Sequence, residues 1–365
     1  MTGAHEVTPD VIELYDDEQT AVWQEFRLGG MPDLISAMNL CHALLALDDS
    51  GILASLRHGK HRPEEGLLDG TVEHLGTHLL DYLTMRGVLD RRGGGYFLSR
   101  KGELLTSDVS LARLGIYLDA YGPVLSRTND LVAGRITYGA DVQRRGGPLG
   151  RHCATLFSAF HTPVLVRAMR ERGVQRLLDV GCGGGSSLVD ACLRDPHLTG
   201  VGLDIDADAI DEARALAARE GVADRVTFVV ADAFAPQTWP EPARSADGMS
   251  IVSALHELFR DGEQAVADML TAYGRALPDL KILLVGEPEI RGDAQDNDDD
   301  FFLIHAMTDQ GMPRDRASWL GVIARSELTC RRIYRRPDAG PRLCFYDLIP
   351  RQRPAHRPSQ GNARG

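Results

Sequence analysis

The sequence predicts an α/β fold in which a seven-stranded, mostly parallel sheet follows a mostly helical N-terminal region. Two observations indicate this fold. From about residue 175 to residue 286, short apolar segments alternate with amphipathic segments of helical period, which is typical of a parallel sheet covered by helices. Farther along, two apolar segments at 330–335 and 342–349 are expected to close the sheet as an antiparallel pair.

The elements of this sheet can be placed along the chain. Strands are predicted at 175–180, 199–204, 226–231, 248–253 and 281–286, with helices between them at 186–194, 207–219 and 262–275. In open α/β sheets, ligands bind at the carboxyl ends of the strands. Side chains that follow these strands are therefore the first candidates for a functional site.

The N-terminal region is predicted to contain helices followed by a small hairpin. One face of a first helix carries Leu34, Met38, Cys41 and Leu45. A second helix is expected over 71–86, and the glycines at 93–95 separate two short strands. Helices followed by such a hairpin are typical of a winged helix.

We divide the chain into three parts: a helical, winged-helix-like domain over 1–150, a second domain over 151–350 and a disordered tail over 351–365. The segment 109–140 is expected to be helical with a break at Gly122-Pro123. A loop is predicted over 144–148, and a helix from Cys153 to Arg172 leads into the second domain.

Composition excludes several classes of protein. The chain has 365 residues, with 40 basic and 52 acidic side chains and a net charge of −12, which argues against a nucleic-acid binder. No apolar run approaches the ~18 residues that a membrane span needs, and the acidic start does not resemble a signal peptide. We therefore expect a cytoplasmic protein. Its six cysteines form no CxxC pair, so a zinc knuckle is not expected.

A glycine loop follows the first predicted strand of the sheet. Residues 177–186 read LLDVGCGGGS, with Asp179 before the loop and glycines at 181, 183 and 185. Glycines there let the backbone turn tightly and let a ligand approach closely. Ser186 does not match the dinucleotide fingerprint, and the loop lacks the lysine of a phosphate-binding P-loop.

This loop matches the Asp-x-Gly-x-Gly-x-Gly motif and resembles the class I methyltransferases, which use S-adenosylmethionine (SAM) on a Rossmann-like sheet. The resemblance implies that Asp179, Gly181, Gly183 and Gly185 hold the amino acid end of SAM. It also implies that Asp204 accepts the ribose hydroxyls and that Asp232, the amide of Ala233 and Phe234 surround the adenine. Ser253, at the end of the fourth strand, is a further expected cofactor contact. The product would be S-adenosylhomocysteine (SAH).

The candidate general base follows the fourth strand. The segment SALHEL, residues 253–258, resembles the Leu-His-Asp-Trp segment of small-molecule O-methyltransferases that have a winged-helix N-terminal domain. In that family the histidine is the base, which maps onto His256, and a carboxylate after the fifth strand orients it. Glu287 is the nearest match to that carboxylate, with Glu289 as a second choice. Histidine suits this role because its reference pKa of ~6.5 leaves it partly neutral.

The acceptor pocket is less clearly marked. Its candidates are His305, Arg127, Tyr121, Phe160 and Trp319. Further arginines, Arg144, Arg145 and Arg314, are candidates for an acceptor carboxylate. We expect no metal, although some C-methylating relatives bind iron through two histidines, and His256 and His305 could form such a pair.

The sequence therefore predicts a SAM-dependent methyltransferase of secondary metabolism, such as antibiotic biosynthesis. Its acceptor would be a small phenolic or amino-acid-derived molecule, methylated on oxygen or carbon. The resemblance implies a homodimer that pairs through the N-terminal domain, with no nucleic-acid or membrane partner. Two alternatives stay open: a C-methyltransferase of a 2-oxo acid that uses a histidine-bound metal, and a SAM-binding winged-helix regulator. An NAD-dependent enzyme on the same sheet is disfavoured by Ser186 and Asp179.

Overall fold

The computed structural model describes residues 11–13, 18–290, 299–308, 310–335 and 343–351. The described residues divide between two compact units, Met1–Leu111 and Ala112–Gly365. The division predicted at residues 150 and 151 concerns functional domains and stays a prediction. Residues 352–365, most of the predicted tail, lie outside the described residues.

The first unit contains the predicted helices and hairpin. Its elements are α1 (Glu18–Leu28), α2 (Met31–Asp49), α3 (Ile52–Arg57), a 3₁₀ turn (Pro63–Glu65), α4 (Glu73–Met85), β1 (Leu89–Arg92), β2 (Gly95–Leu98) and α5 (Arg100–Leu105). The two strands pair in antiparallel fashion from Leu89–Leu98 to Arg92–Gly95, which leaves Gly93 and Gly94 to form the turn. Both glycines have positive φ, the backbone region that hairpin turns of this length require.

Helices α1 and α2 leave apolar side chains exposed. In α2 only Ala43, Leu44 and Leu47 are buried, all in its second half. Among the described residues, no single helix is long and apolar enough to span a membrane. Taken together, α1 and α2 have the length and the apolar composition of a span, but they are bent by 53°. Of the predicted apolar face of α2, the described residues leave Leu34 and Met38 exposed and Cys41 and Leu45 half-buried, so the face that α2 buries is a different one.

The second unit contains the sheet. Its helices are α6 (Asp108–Gly115, which begins in the first unit), α7 (Gly122–Leu125), α8 (Thr128–Val132), α9 (Gly146–Leu156), α10 (Thr162–Glu171), α11 (Ser186–Arg194), α12 (Ala207–Arg219), α13 (Glu241–Arg244), α14 (Glu263–Ala276), α15 (Asp299–Met307) and α16 (Arg316–Arg325). Its strands are β3 (Arg176–Val180), β4 (Thr199–Asp204), β5 (Val226–Val230), β6 (Gly248–Val252), β7 (Ile282–Pro288), β8 (Leu328–Tyr334) and β9 (Leu343–Pro350).

The seven strands have the order β5-β4-β3-β6-β7-β9-β8. The first five of these are parallel, whereas β9 pairs antiparallel to both β7 and β8, as predicted. Two apolar clusters cover the sheet. One contains buried side chains of β6 and β7, and the other contains buried side chains of α11 and β3. The fold class predicted from the sequence is confirmed, and the carboxyl ends of β3, β4, β5, β6 and β7 share one edge.

The structure differs from the prediction between the hairpin and the sheet. Residues 109–140 form short helices, with a π-helical turn at Ile116–Ala120, and helix ends at Val132. The predicted loop over 144–148 is wrong at its end, because α9 begins at Gly146 and continues through a second π-helical turn (Phe157–His161) into α10. Pro148 is compatible with this helix because the N–H groups of a first turn have no partner within the helix.

Candidate active site

The glycine loop joins the end of β3 to the start of α11. Gly181, Gly183 and Gly185 all have positive φ, between 51° and 74°. The N–H groups of Gly181 and Cys182 donate to the carbonyl oxygen of Leu203, at 2.8 and 2.9 Å, so the loop is fixed against β4. A Cβ atom on Gly183 would meet no atom of the described residues within 4 Å. The loop is therefore rigid and open at its centre.

Asp179 lies directly before this loop and is buried. It is 5% exposed, and its Oδ1 accepts a hydrogen bond from the Ser250 hydroxyl at 2.7 Å. Burial is the main reason why the pKa of the Asp179 carboxyl is raised to about 6. The hydrogen bond from Ser250 opposes this rise, and the nearby Asp204 carboxylate contributes to it. A cation beside Asp179 would relieve this unfavourable burial of charge.

The next two predicted carboxylates follow in order along the sheet edge. Asp204 ends β4, and its two oxygens accept the N–H groups of Gly183 and Asp206, at 2.8 and 3.0 Å. Asp232 lies two residues after β5, is exposed, and accepts the N–H of Phe234 at 2.8 Å. Asp179, Asp204 and Asp232 thus lie at the ends of three neighbouring strands, as a cofactor lying along the edge would require.

His256 and Glu287 form a buried pair. The Nδ1 atom of His256 lies 2.7 Å from Glu287 Oε2, and the two residues are 3% and 0% exposed. The other oxygen of Glu287 accepts the N–H groups of Ala254 and Leu255, at 3.1 and 2.7 Å. Because these hydrogen bonds fix the carboxylate as an acceptor, Nδ1 of His256 carries a hydrogen and Nε2 is left to accept a proton.

Ser253 begins the turn that carries His256. Its φ of 54° makes it the only non-glycine residue with positive φ among the described ranges. Its N–H donates to the carbonyl oxygen of Gly286 at 2.7 Å, which holds the turn against β7. A backbone of this kind is sparsely populated, and such residues cluster at functional sites.

His305, on α15, contacts the candidate base. Its Nε2 atom lies 3.2 Å from Nε2 of His256, and the residue is 3% exposed. With the hydrogen of His256 on Nδ1, a hydrogen bond between the two Nε2 atoms requires that His305 donate. The two Nε2 atoms therefore face each other, with His256 on the turn after β6 and His305 on α15.

A cavity of about 140 Å³ opens beside these histidines. Its apolar wall includes Ile116, Leu149, Leu156 and Phe157. Its polar wall includes Arg113, Tyr121, Arg144, His161, Glu257 and Gln310. Ser253, His256 and His305 line it as well, so the sheet edge and the cavity meet at the candidate base.

The structure brings some predicted acceptor residues to this cavity and not others. Tyr121 and His305 line it. Arg127 is exposed and paired with Asp130 at 2.7 Å, and Phe160 lines a different cavity. Trp319 is 0% exposed and stacks edge-on against Phe259 in the core.

Glu289, the second choice for the orienting carboxylate, has other partners. Arg316 donates to both of its oxygens, at 2.8 and 2.7 Å, and the Tyr346 hydroxyl donates at 2.7 Å. These contacts hold the pKa of Glu289 below its usual range despite burial. Glu287 is thus the carboxylate that contacts His256.

Sequence reasoning missed Arg113, His161 and Gln310 as cavity residues. His161 lies in the π-helical turn between α9 and α10, and Gln310 follows α15. No periodic pattern marks a residue in a π-helical turn, because the turn shifts the helical register by one residue. The only sequence signal for His161 was a histidine within an otherwise apolar segment.

Comparison with known proteins agrees with this geometry. Residues 177–274, from β3 through most of α14, match a family model described as a methyltransferase domain. This part of the chain is therefore similar to a methyltransferase domain. The matched range contains the glycine loop, the three strand-end carboxylates and His256.

Individual relatives of the chain are methyltransferases. An indolepyruvate C-methyltransferase from Streptomyces griseus is 27% identical over 52% of this chain and 56% of its own length. The chain thus matches about half of that curated relative. A solved structure of a mitomycin 7-O-methyltransferase has a TM-score of 0.70 at 19% identity, covering 91% of this chain and 100% of that one.

A second solved structure contains bound ligands. It is an O-methyltransferase from neocarzinostatin biosynthesis in complex with SAH and 1,4-dihydroxy-2-naphthoic acid. Its TM-score is 0.55 at 18% identity, covering 85% of this chain and 96% of that chain. At these identities, the two solved structures establish the fold.

Proposed function

We propose that this chain transfers a methyl group from SAM to a small molecule of secondary metabolism, with His256 as the general base. The observation that carries the proposal is the 2.7 Å contact between His256 Nδ1 and Glu287, at the same sheet edge as the glycine loop. The relatives act on small molecules, and one of them binds SAH.

The residues at the sheet edge fit SAM. When bound, SAM supplies an electrophilic methyl group on a sulfonium. Its ammonium group would offset the buried charge of Asp179, whose pKa burial raises to about 6. Gly183 leaves its side of the loop open, and Asp204 and Asp232 provide acceptors at the next two strand ends.

The catalytic role of His256 follows from its hydrogen bonds. When the acceptor replaces His305 as the partner of Nε2, this atom takes a proton from the acceptor, which becomes a stronger nucleophile as it loses that proton. Glu287 holds the ring in the required tautomer and stabilises the imidazolium that forms. Both side chains are buried, so little water competes for the proton. Deprotonation of a phenol permits attack by oxygen or ring carbon, and deprotonation beside a ketone permits attack by carbon.

A second candidate function is supported by the contact between His256 and His305. Two Nε2 atoms that are 3.2 Å apart could be neighbouring ligands of one metal ion, whose bonds to imidazole are about 2.0–2.1 Å long. Such an ion would polarise a carbonyl of a 2-oxo acid. However, no group of three or more His, Cys, Asp and Glu side chains is placed to hold a metal in the described part of the chain.

One assay tests both candidates. Purified protein is incubated with methyl-labelled SAM and a panel of phenols, aromatic amino acids and 2-oxo acids, and products are identified by mass spectrometry. The His256→Ala variant should lose at least about 100-fold in turnover, the lower range for general acid–base catalysis, and still bind SAH. The exposed His197→Ala is the matched control and should keep full activity.

The outcomes separate the candidates. Full turnover in His256→Ala would remove this residue from the role of base. Activity that disappears after treatment with a chelator and returns with a divalent metal would favour the metal-dependent candidate. If SAH does not bind at all, the proposed function fails.

We also propose that the protein is a homodimer that pairs through α1 and α2. The supporting observation is a row of exposed apolar side chains, which includes Trp23, Leu34, Ile35 and Met38, each at least 45% exposed. Contiguous apolar surface of this kind marks an interaction site on most proteins.

A further inference from the structure

The charge of the cavity is unbalanced. Among its described lining residues, Arg113 and Arg144 carry guanidinium groups, whereas Glu257 is the only carboxylate. His161, which faces the same space, does not add a charge: burial lowers its pKa to about 3, so its ring is neutral. Among the described lining residues, guanidinium groups therefore outnumber carboxylates next to the candidate base.

Arg144 and Glu257 do not form a closed ion pair. The shortest distance between Arg144 Nη2 and Glu257 Oε1 is 4.0 Å. By contrast, Arg316 contacts both oxygens of Glu289 at 2.8 and 2.7 Å in the same unit. Arg144 instead donates to the Tyr121 hydroxyl at 3.3 Å, with its guanidinium carbon 6.0 Å from that ring.

This open geometry leaves room for an anion. The Arg144 side chain is 29% exposed, so water does not fully solvate its charge. A half-buried guanidinium is stabilised most by a planar partner that accepts two parallel hydrogen bonds, such as a carboxylate. Glu257 is close enough to attract the charge of Arg144, but at 4.0 Å it is too far away to accept a hydrogen bond from it.

The remaining walls fit a single aromatic ring. The cavity volume of about 140 Å³ is close to the ~150 Å³ of an engineered apolar cavity that binds benzene. Phe157, Tyr121 and Ile116 provide the surfaces against which a ring would pack.

We propose that Arg144 binds the carboxylate of the methyl acceptor, which is a small acid with one aromatic ring. This inference deepens the proposed methyl transfer and rests on it. Arg113 lies on the same wall, and Glu257 weakens the hold on the carboxylate by competing for Arg144. The acceptor is thus oriented from its acidic end, with its reacting atom toward His256.

Calorimetry with matched acids and amides tests this inference. The probes are benzoate, salicylate, phenylacetate and 3-phenylpropanoate, each paired with its carboxamide, and each is titrated into the SAH-saturated protein. At least one acid should bind about tenfold or more tightly than its amide, the range for a hydrogen bond to a charged group. Arg144→Gln should remove this preference, and Arg144→Lys should reduce it because the fork is lost.

Two further variants complete the experiment. One is expected to strengthen the binding of the acid, and the other is a control that should not change it. Glu257→Gln removes the competing carboxylate, so the acid should bind more tightly than it does to the wild type. Arg145→Gln makes the same change in charge at the next position, where the side chain is exposed and lies 3.2 Å from Asp119, and should leave the preference unchanged.

The results also separate this inference from the proposed function. Equal binding of acids and amides, no binding of any acid at millimolar concentration, or a preference that survives in Arg144→Gln would each overturn the inference while SAH binding upholds methyl transfer. Binding of acids that depends on Arg144, in a protein that does not bind SAH, would uphold the anion site and overturn the methyl transfer.

Discussion

At the scale of single residues, the two buried carboxylates of the site are held very differently. Glu287 receives three hydrogen bonds, from His256 Nδ1 and from the N–H groups of Ala254 and Leu255. Asp179 receives one, from the Ser250 hydroxyl, among the contacts of the described residues. The charge of Glu287 is therefore stabilised by hydrogen bonds without a ligand, whereas the charge of Asp179 has only one such bond among the described residues.

Replacement of Asp179 by Asn should stabilise the cofactor-free protein at high pH. Burial raises the pKa of Asp179 from 3.8 to about 6, so the folded state binds more protons than the unfolded state between these values. Stability from this group is therefore present at low pH and is lost as pH rises through about 6. Asp179→Asn should gain about 1–3 kcal/mol at about pH 8 and nothing at about pH 4. Urea unfolding at several pH values measures this.

The exposed Asp224→Asn serves as the control, because it makes the same substitution at the surface of the protein. The variant at 179 should also bind SAM more weakly, since the ammonium loses its charged partner. A gain in stability that does not depend on pH would contradict this account.

At the scale of elements, the glycine loop depends on close packing at its last residue. A Cβ atom on Gly185 would lie 2.6 Å from Phe228 Cζ and 2.8 Å from Ala213 Cβ, and its φ is +74°. Gly183 also has positive φ, but a Cβ atom there would meet nothing within 4 Å. The two positions thus separate backbone strain from steric overlap.

Gly185→Ala should destabilise the protein by about 2–5 kcal/mol, because the strain of a left-handed residue adds to overpacking between α12 and β5. Gly183→Ala should cost only the strain, about 1–2 kcal/mol. Equal losses for the two variants in urea unfolding would show that packing beneath the loop contributes nothing.

Elements with a regular apolar period could be predicted from the sequence, whereas the cavity wall could not. The strands β3, β4 and β6 are buried apolar runs between turn residues, and the structure has them within one residue of the prediction. His256 and Glu287 follow from their places after β6 and at the end of β7. The approach of His305 depends on how α15 packs in three dimensions, which spacing along the chain does not encode.

At the scale of the whole molecule, the exposed apolar side chains of α1 and α2 need a covering partner. Val22, Trp23, Leu28 and Leu34 are each more than 60% exposed. Isolated exposed apolar residues are ordinary, but eight large ones within two consecutive helices are not. In the proposed homodimer, a second copy of the chain covers these side chains.

The double variant Leu34→Lys/Met38→Lys should therefore convert the protein to a monomer, because it places two charges in the apolar surface. Sedimentation equilibrium should give twice the mass of one chain for the wild type and one mass for the variant. Exposed Lys101→Glu, on α5, is a control that should stay dimeric. A wild-type protein that sediments as a monomer, or that floats with lipid vesicles, would contradict the dimer.

The two π-helical turns, Ile116–Ala120 and Phe157–His161, have a consequence for how the acceptor could be exchanged. Each holds one extra residue in a helix, and removing that residue would rotate the flanking side chains by about 100° relative to each other. Ile116, Phe157 and His161 would then turn relative to the cavity, while the glycine loop and His256 kept their places. In the proposed methyltransferase, a one-residue deletion at either turn would therefore change the acceptor cavity and leave the glycine loop and His256 in place.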